Sequence, residues 1–208
     1  MYTVETIPST RIREHFRDET ARFAFDYWDR IRRNSNVPDR RDIEPADMAP
    51  VLGNLLLLET FAGSVSFRLG GSQLTAHLRR ETRGTSAATI WRGMDRGRFE
   101  ALIHTLVDLP GGALLTADLM IDGRSPTPFE ILLLPLTFRS KEITRFLGTA
   151  TPLRNDYWLG TESPLGFELR NIVLFEATAN RDSSTTPSES NPIRVHRHLA
   201  VYAGGQER

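Results

Sequence analysis

The feature that most constrains the fold is a run of five extended segments between residues 55 and 152, interleaved with helical segments. Two apolar segments come first, Leu55–Glu59 and Val65–Leu69, joined by a turn at 62–64. A short helix is predicted at 73–78, and a longer helix is predicted to begin near Asp95. Three more extended segments complete the run, at 113–122, 129–134 and 144–151. Because the links between these last three are short, we expect them to pair as an antiparallel meander.

Side-chain periodicity supports these assignments. In segment 113–122, Leu115, Ala117 and Leu119 fall on one face and polar residues on the other, as in a half-buried strand. After Asp95, apolar residues recur at three- and four-residue steps typical of a helix with one buried face, at Phe99, Leu102, Ile103 and Leu106. Segment 167–176 fits either an extra strand or a short helix, and we favour a strand.

A leading helix is predicted over Arg11–Arg33, capped by Ser9 or Thr10 and amphipathic along its length. Its aromatic stripe has two interpretations that the sequence leaves open. It packs on the core of its own domain, or it forms a dimer contact. The candidates for that contact are Phe16, Phe23, Tyr27, Trp28 and Ile31.

Composition excludes several classes of function. Acidic and basic residues number 26 each, so net charge gives no case for a nucleic-acid or membrane partner. The chain has no cysteine, which rules out disulfides and thiolate chemistry and fits a reducing compartment. The charged N-terminus has no signal-peptide core, and the longest apolar run, 131–138, is too short to span a bilayer. We therefore expect a cytoplasmic protein.

No common catalytic or nucleotide-binding motif is present: the sequence has no Walker loop, no dinucleotide fingerprint and no nucleophile elbow. His196 and His198 could pair on a strand but have no third ligand near them in sequence, so no metal site is expected. His104 is predicted to be a hydrogen-bonded residue at the edge of the core.

Arg68 stands out because it follows apolar neighbours in a strand and precedes a double glycine. A half-buried arginine needs a carboxylate or a bound anion. Its predicted partners are Glu81, Glu130 or Asp42, and an internal ion pair and a ligand contact both stay open.

The order helix, two strands, short helices, a longer helix and three strands resembles a PAS domain, in particular a bacterial subfamily of small standalone PAS proteins. The resemblance rests on the order and spacing of short stretches: 26–28, 38–45, 67–71, 80–84, 134–136, 145–148 and 201–205. It implies an α+β fold, with a five-stranded antiparallel sheet, helices on one face and the amphipathic helix in front. The expected organisation is an N-terminal helical extension (1–36), a PAS-like domain (37–153), an extension packing on it (154–179) and a flexible tail (180–208).

PAS domains commonly bind a small molecule between sheet and helices, or dimerise through the leading helix. The resemblance thus implies a pocket whose candidate residues are Arg68, Leu74, Leu78, Trp91, Phe99, Ile103, Leu119 and Leu133. There is no flavin-linking cysteine and no convincing heme ligand, so the cofactor is unknown.

Three functions follow from the sequence. The first is a non-catalytic sensory module that binds a small molecule or a partner protein and signals through that partner. The second is a ligand-free structural homodimer or adaptor, with the cavity filled by side chains. The third, an enzyme using Arg68, Asp118 or Glu130, is the least supported, because no nucleophile and base can be paired.

Overall fold

The computed structural model describes residues 2–33 and 35–177, together with the backbone of 195–196 and 199–200. The strands are β1 (Thr3–Pro8), β2 (Leu55–Phe61), β3 (Ser64–Gly70), β4 (Gly111–Ile121), β5 (Thr127–Thr137), β6 (Ile143–Pro152), β7 (Pro164–Glu176), β8 (Val195–His196) and β9 (Leu199–Ala200). The α-helices are α1 (Glu19–Ile31), α2 (Ser72–Leu78) and α3 (Asp95–Asp108). Four 3-10 segments lie at Ser9–Glu14, Arg40–Asp42, Pro45–Asn54 and Ala87–Ile90.

Within the described residues, seven strands form one sheet in the order β1-β7-β4-β5-β6-β2-β3. The five predicted strands are all present, and they are consecutive and antiparallel in this sheet. The prediction of a five-stranded, wholly antiparallel sheet was nevertheless wrong. Strand β7 adds to β4, as favoured for segment 167–176, and β1 then pairs with β7 in parallel. Strand β1 was not predicted, because Thr3–Pro8 is short, partly charged and ends in proline.

The central strands are buried on both faces, and β5 demonstrates this most clearly. Phe129, Ile131 and Leu133 point into one hydrophobic core, which we call the helix-side core because α2 and α3 contribute to it. Leu132 and Leu134 point into a second core on the opposite face. Near-continuous apolar sequence is the expected signature of a strand covered on both sides.

Helices cover both faces of the sheet, so the prediction of helices on one face was wrong. The second core is closed by α1 together with the 3-10 segments Ser9–Glu14 and Pro45–Asn54. The indole of Trp28 on α1 donates a hydrogen bond of 2.8 Å to the carbonyl of Pro135. Because β4 pairs with β5 only as far as Leu133, Pro135 occupies a position where no N–H is required for that pairing.

Helix α1 begins at Glu19, eight residues later than predicted, and its cap is Asp18 rather than Ser9 or Thr10. A buried side chain explains this start. The carboxylate of Glu130 on β5 accepts hydrogen bonds from the backbone N–H groups of Arg17 at 3.0 Å and Asp18 at 3.1 Å. These bonds hold residues 17 and 18 against the sheet, outside a helix. Burial, the largest influence, raises the pKa of Glu130, although the two N–H groups oppose the rise.

The predictions for the C-terminal tail, flexibility over 180–208 and a possible pairing of His196 with His198, lie outside the residues whose side chains the structure describes. No helix within 2–33 and 35–177 combines the length and apolar character that a membrane crossing requires.

Gly148 on β6 lies at a close approach of two backbones. A Cβ added there would overlap the carbonyl oxygen of Leu132 on the neighbouring strand. We expect Gly148→Ala to lower the free energy of unfolding by about 1–3 kcal/mol, since overpacking forces the strands apart. Urea denaturation measures the loss. Gly97→Ala is the matched control, because a Cβ at Gly97 on α3 meets nothing within 4 Å and alanine favours the helix. Equal losses in both variants would contradict this account.

Glu130 gives a prediction about pH. A carboxyl whose pKa is raised on folding contributes stability that is fully present below its unfolded pKa, about 4.3, and is lost as pH rises through its folded pKa. Glu130→Gln should remove that part of the pH dependence, because the amide does not titrate. Urea denaturation at steps between pH 4 and 7 gives the slope of unfolding free energy against pH for the unmodified protein and for Glu130→Gln. The control, Glu100→Gln, changes an exposed residue on α3 and should leave the slope as in the unmodified protein. An unchanged slope in Glu130→Gln would refute the assignment.

Candidate ligand site between sheet and helices

The structure brings together seven of the eight residues predicted to line a pocket. They lie in the helix-side core, where each is at most 4% exposed. Helix α2 contributes two of them, α3 two, and β4 and β5 one each, while Trp91 follows the 3-10 segment Ala87–Ile90. These seven are Leu74, Leu78, Trp91, Phe99, Ile103, Leu119 and Leu133.

A connected row of rings runs through this core. Trp91 stacks on Phe99 with centroids 5.1 Å apart and lies 5.7 Å from Phe167. Phe167 meets Phe129 edge to face at 5.1 Å, and Phe129 meets His77 at 5.6 Å. Three of these five rings were not among the predicted site residues: His77, Phe129 and Phe167. Phe129 could have been predicted from the sequence, because it shares one face of a predicted strand with Ile131 and Leu133.

Two buried polar atoms on this row have no hydrogen-bond partner among the described residues, Nε1 of Trp91 and Nδ1 of His77. Buried polar groups are paired in most proteins, so each exception calls for an explanation. Burial lowers the pKa of His77, which favours the neutral imidazole with one donor and one acceptor nitrogen. The core therefore offers an indole donor and an imidazole nitrogen to a molecule that reaches these rings.

Arg68 does not belong to this site. Its neighbour Phe67 points into the helix-side core, so Arg68 projects from the other face of β3, where 55% of its side chain is exposed. Its partner is Glu59 at 3.4 Å, which also binds Arg145 at 2.7 Å. The predicted partners were wrong, because cross-strand pairing between β2 and β3, with its bulge, brings Glu59 close to Arg68.

The match of a protein-family model identifies the fold. A model described as "PAS domain" matches residues 16–151, which is well over half of the chain.

The chain belongs to the PAS domain family.

This confirms the resemblance drawn from the sequence, and a PAS domain suggests a sensory signalling module. Two solved structures are similar to this PAS domain. The crystal structure of the Rhodobacter sphaeroides LOV protein is 15% identical, with a TM-score of 0.42, covering 51% of this chain and 62% of that one. A substituted form of RsLOV is 15% identical, with a TM-score of 0.40, covering 51% and 64%. This chain thus spans less than two thirds of either structure. No curated protein matches it.

The aromatic stripe predicted for a dimer lies mainly against the sheet of this PAS domain. Phe16, Tyr27 and Trp28 are buried in the second core, and Ile31 packs against its edge. Phe23 differs from them, with 37% of its surface exposed. Packing within one chain accounts for most of the stripe, and the dimer contact stays a prediction.

The polar groups considered for catalysis are engaged elsewhere in this PAS domain. Asp118 on β4 pairs with Arg170 at 2.6 Å, and Glu130 holds the start of α1. Arg68 is distant from Glu130 in the sheet, because strands β6 and β2 lie between β5, which carries Glu130, and β3, which carries Arg68. His104 is exposed on α3, so its predicted place at the edge of the core was wrong. In the part of the chain that the structure describes, no three His, Asp or Glu side chains are placed to hold a metal ion.

The two buried tryptophans give a direct test of the unpaired indole. Trp28→Phe leaves the Pro135 carbonyl without its donor, whereas Trp91→Phe removes an N–H that has no partner within 2–33 and 35–177. We therefore expect Trp28→Phe to lower the free energy of unfolding by about 1–2 kcal/mol more than Trp91→Phe. Chemical denaturation of both variants measures the difference. A loss in Trp91→Phe equal to or greater than that in Trp28→Phe would mean that the indole of Trp91 is paired.

Proposed function

We propose that this PAS domain is a non-catalytic sensory or regulatory module that binds a small molecule in its helix-side core and acts on a partner protein in signal transduction. One observation carries the proposal: Nε1 of Trp91 and Nδ1 of His77 are buried on the same row of rings and have no hydrogen-bond partner in the described part of the chain. A ligand that supplies an acceptor to the indole would recover the free energy that the unpaired donor costs. The aromatic faces around it favour a ligand with an apolar or planar body.

A ligand bound at Trp91 could displace other elements of the fold through the contacts around this residue. Trp91 bridges to Phe167 on β7, and the backbone N–H of Arg92 donates to the carbonyl of Phe167 at 3.0 Å. Asp95, the first residue of α3, accepts from the N–H of Leu169 at 2.9 Å. A shift of Trp91 therefore acts on both β7 and α3. Strand β7 pairs with β1, so a displacement of β7 would also move the N-terminal strand.

A second function, a ligand-free adaptor or structural homodimer, is favoured by a different observation. The seven apolar candidate residues are almost completely buried by one another and by their neighbours. Three surface grooves among the described residues, of about 790, 350 and 100 Å³, are lined by residues other than these seven. In this second function the rings serve packing alone, and partners bind to the outside of the domain.

A thermal-shift screen of metabolite pools separates the two functions. We expect a ligand to raise the melting temperature of the unmodified protein, and at 100 times its Kd to add about 2.7 kcal/mol to the free energy of unfolding. Trp91→Phe should weaken this stabilisation, because it removes the donor but keeps an aromatic ring. Trp158→Phe is the matched control, since that indole already donates to Thr127 outside the row.

Two outcomes would count against ligand sensing in this core. One is that no pool stabilises the protein, which would favour the adaptor. The other is equal stabilisation of Trp91→Phe and Trp158→Phe, which would place the ligand elsewhere.

A further inference from the structure

A groove runs along the sheet edge formed by β1, on the side covered by α3. Its volume is about 350 Å³. Helix α3 lines one wall with Gly97, Ala101 and Thr105, and the sheet lines the other with Val4 and Leu174. The groove exists because these helix positions, one turn apart, carry small side chains. We call it the edge groove.

The edge groove is apolar and open. Val4 is 40% exposed and Met94, at the start of α3, is 77% exposed, although both are apolar. Strand β1 ends the sheet on this side, so one row of its backbone N–H and C=O groups has no strand beside it within the described residues. Natural proteins usually cover or protect such an edge, because it pairs readily with other extended chains.

The course of the chain favours its own C-terminal segment as the cover. The main fold is described as far as Ala177, which follows β7 and donates to the carbonyl of Pro110. Leu174, in the wall of the edge groove, lies three residues earlier, about 10 Å along a strand. Between Ala177 and the start of β8 at Val195 there are 17 residues, and a flexible linker of that length would span about 23 Å. The reach is therefore sufficient.

The sequence of that segment matches the groove. Residues 180–192 carry only polar, charged or proline side chains, whereas 199–203 read Leu-Ala-Val-Tyr-Ala. The backbone of Leu199–Ala200 is extended, as strand β9, which pairs antiparallel with β8 along one edge and with no second strand within the described residues. In an extended chain Leu199 and Val201 fall on one face, about 6.7 Å apart. Gly97 and Ala101 are about 6 Å apart along α3, so the two spacings correspond.

We propose that residues 199–203 of the same chain dock in the edge groove, with Leu199 and Val201 against Gly97 and Ala101 and the backbone alongside β1. The occupant is an intramolecular peptide, and its contacts are apolar side chains together with strand-type hydrogen bonds. This goes beyond the sensory function, because it assigns a binding surface at the β1 edge of the sheet, separate from the rings of the proposed ligand site.

Disulfide trapping tests the proposal, and the absence of cysteine from the 208 residues of the chain gives a clean background. Ala101→Cys is combined with Val201→Cys, and the oxidised protein is resolved by non-reducing electrophoresis at low protein concentration. We expect a cross-linked monomer. The matched control combines Glu100→Cys with Val201→Cys, since Glu100 is the exposed neighbour that does not line the groove. The control should cross-link at least tenfold more slowly.

Filling the groove gives a second measurement. Gly97→Leu, added to the Ala101→Cys and Val201→Cys pair, places a large side chain where a Cβ meets no other atom within 4 Å. It should slow cross-linking at least fivefold while circular dichroism stays unchanged. Equal rates for the two cysteine pairs, a cross-linked dimer in place of the monomer, or no effect of Gly97→Leu would each overturn the proposal.

Discussion

Burial of the central strands on both faces is the constraint on which the rest of this structure depends. Strand β5 sends Phe129, Ile131 and Leu133 to one core and Leu132 and Leu134 to the other. A sheet whose two faces are both apolar needs two covers, because exposed apolar area costs about 25 cal/mol per Å². Helices α2 and α3 provide the first cover, and α1 with the N-terminal 3-10 segment provides the second. The segment before the first predicted strand is therefore part of the fold.

This constraint also explains why α1 needs an anchor. A helix that lies on a flat apolar face can slide, since hydrophobic contact has no direction. Glu130 and Pro135 both lie on β5, and they fix α1 at separate points through Asp18 and Trp28. Directional hydrogen bonds in an apolar setting set the register of helix on sheet. This anchoring requires the burial of Glu130, which is 1% exposed, and burial disfavours the charged form of its carboxyl group.

Local patterns in the sequence predicted the local structure well. Alternation located β4 and β5, helical periodicity located α3, and the chain order led to the PAS fold. Seven apolar residues predicted for one site were indeed brought together, because a shared face follows from periodicity and order. Pairings between distant segments were not predictable in the same way. Thr3–Pro8 has no strong pattern, and only its partner β7 makes it a strand. The partner of Arg68 depended on the pairing of β2 with β3. His77 was overlooked because nothing local distinguishes a half-buried histidine on a short helix.

The parallel pairing of β1 with β7 affects how the chain is made. Thr3 and Asn171 are neighbours in the sheet although 168 positions separate them. At ribosomal rates of about 5–20 residues per second, the first strand waits roughly 10–30 seconds for its partner to be synthesised. During translation the N-terminal segment therefore emerges with its hydrogen-bonding edge unpaired. Strand β1 can therefore pair with β7 only after the meander β4–β6 has been synthesised.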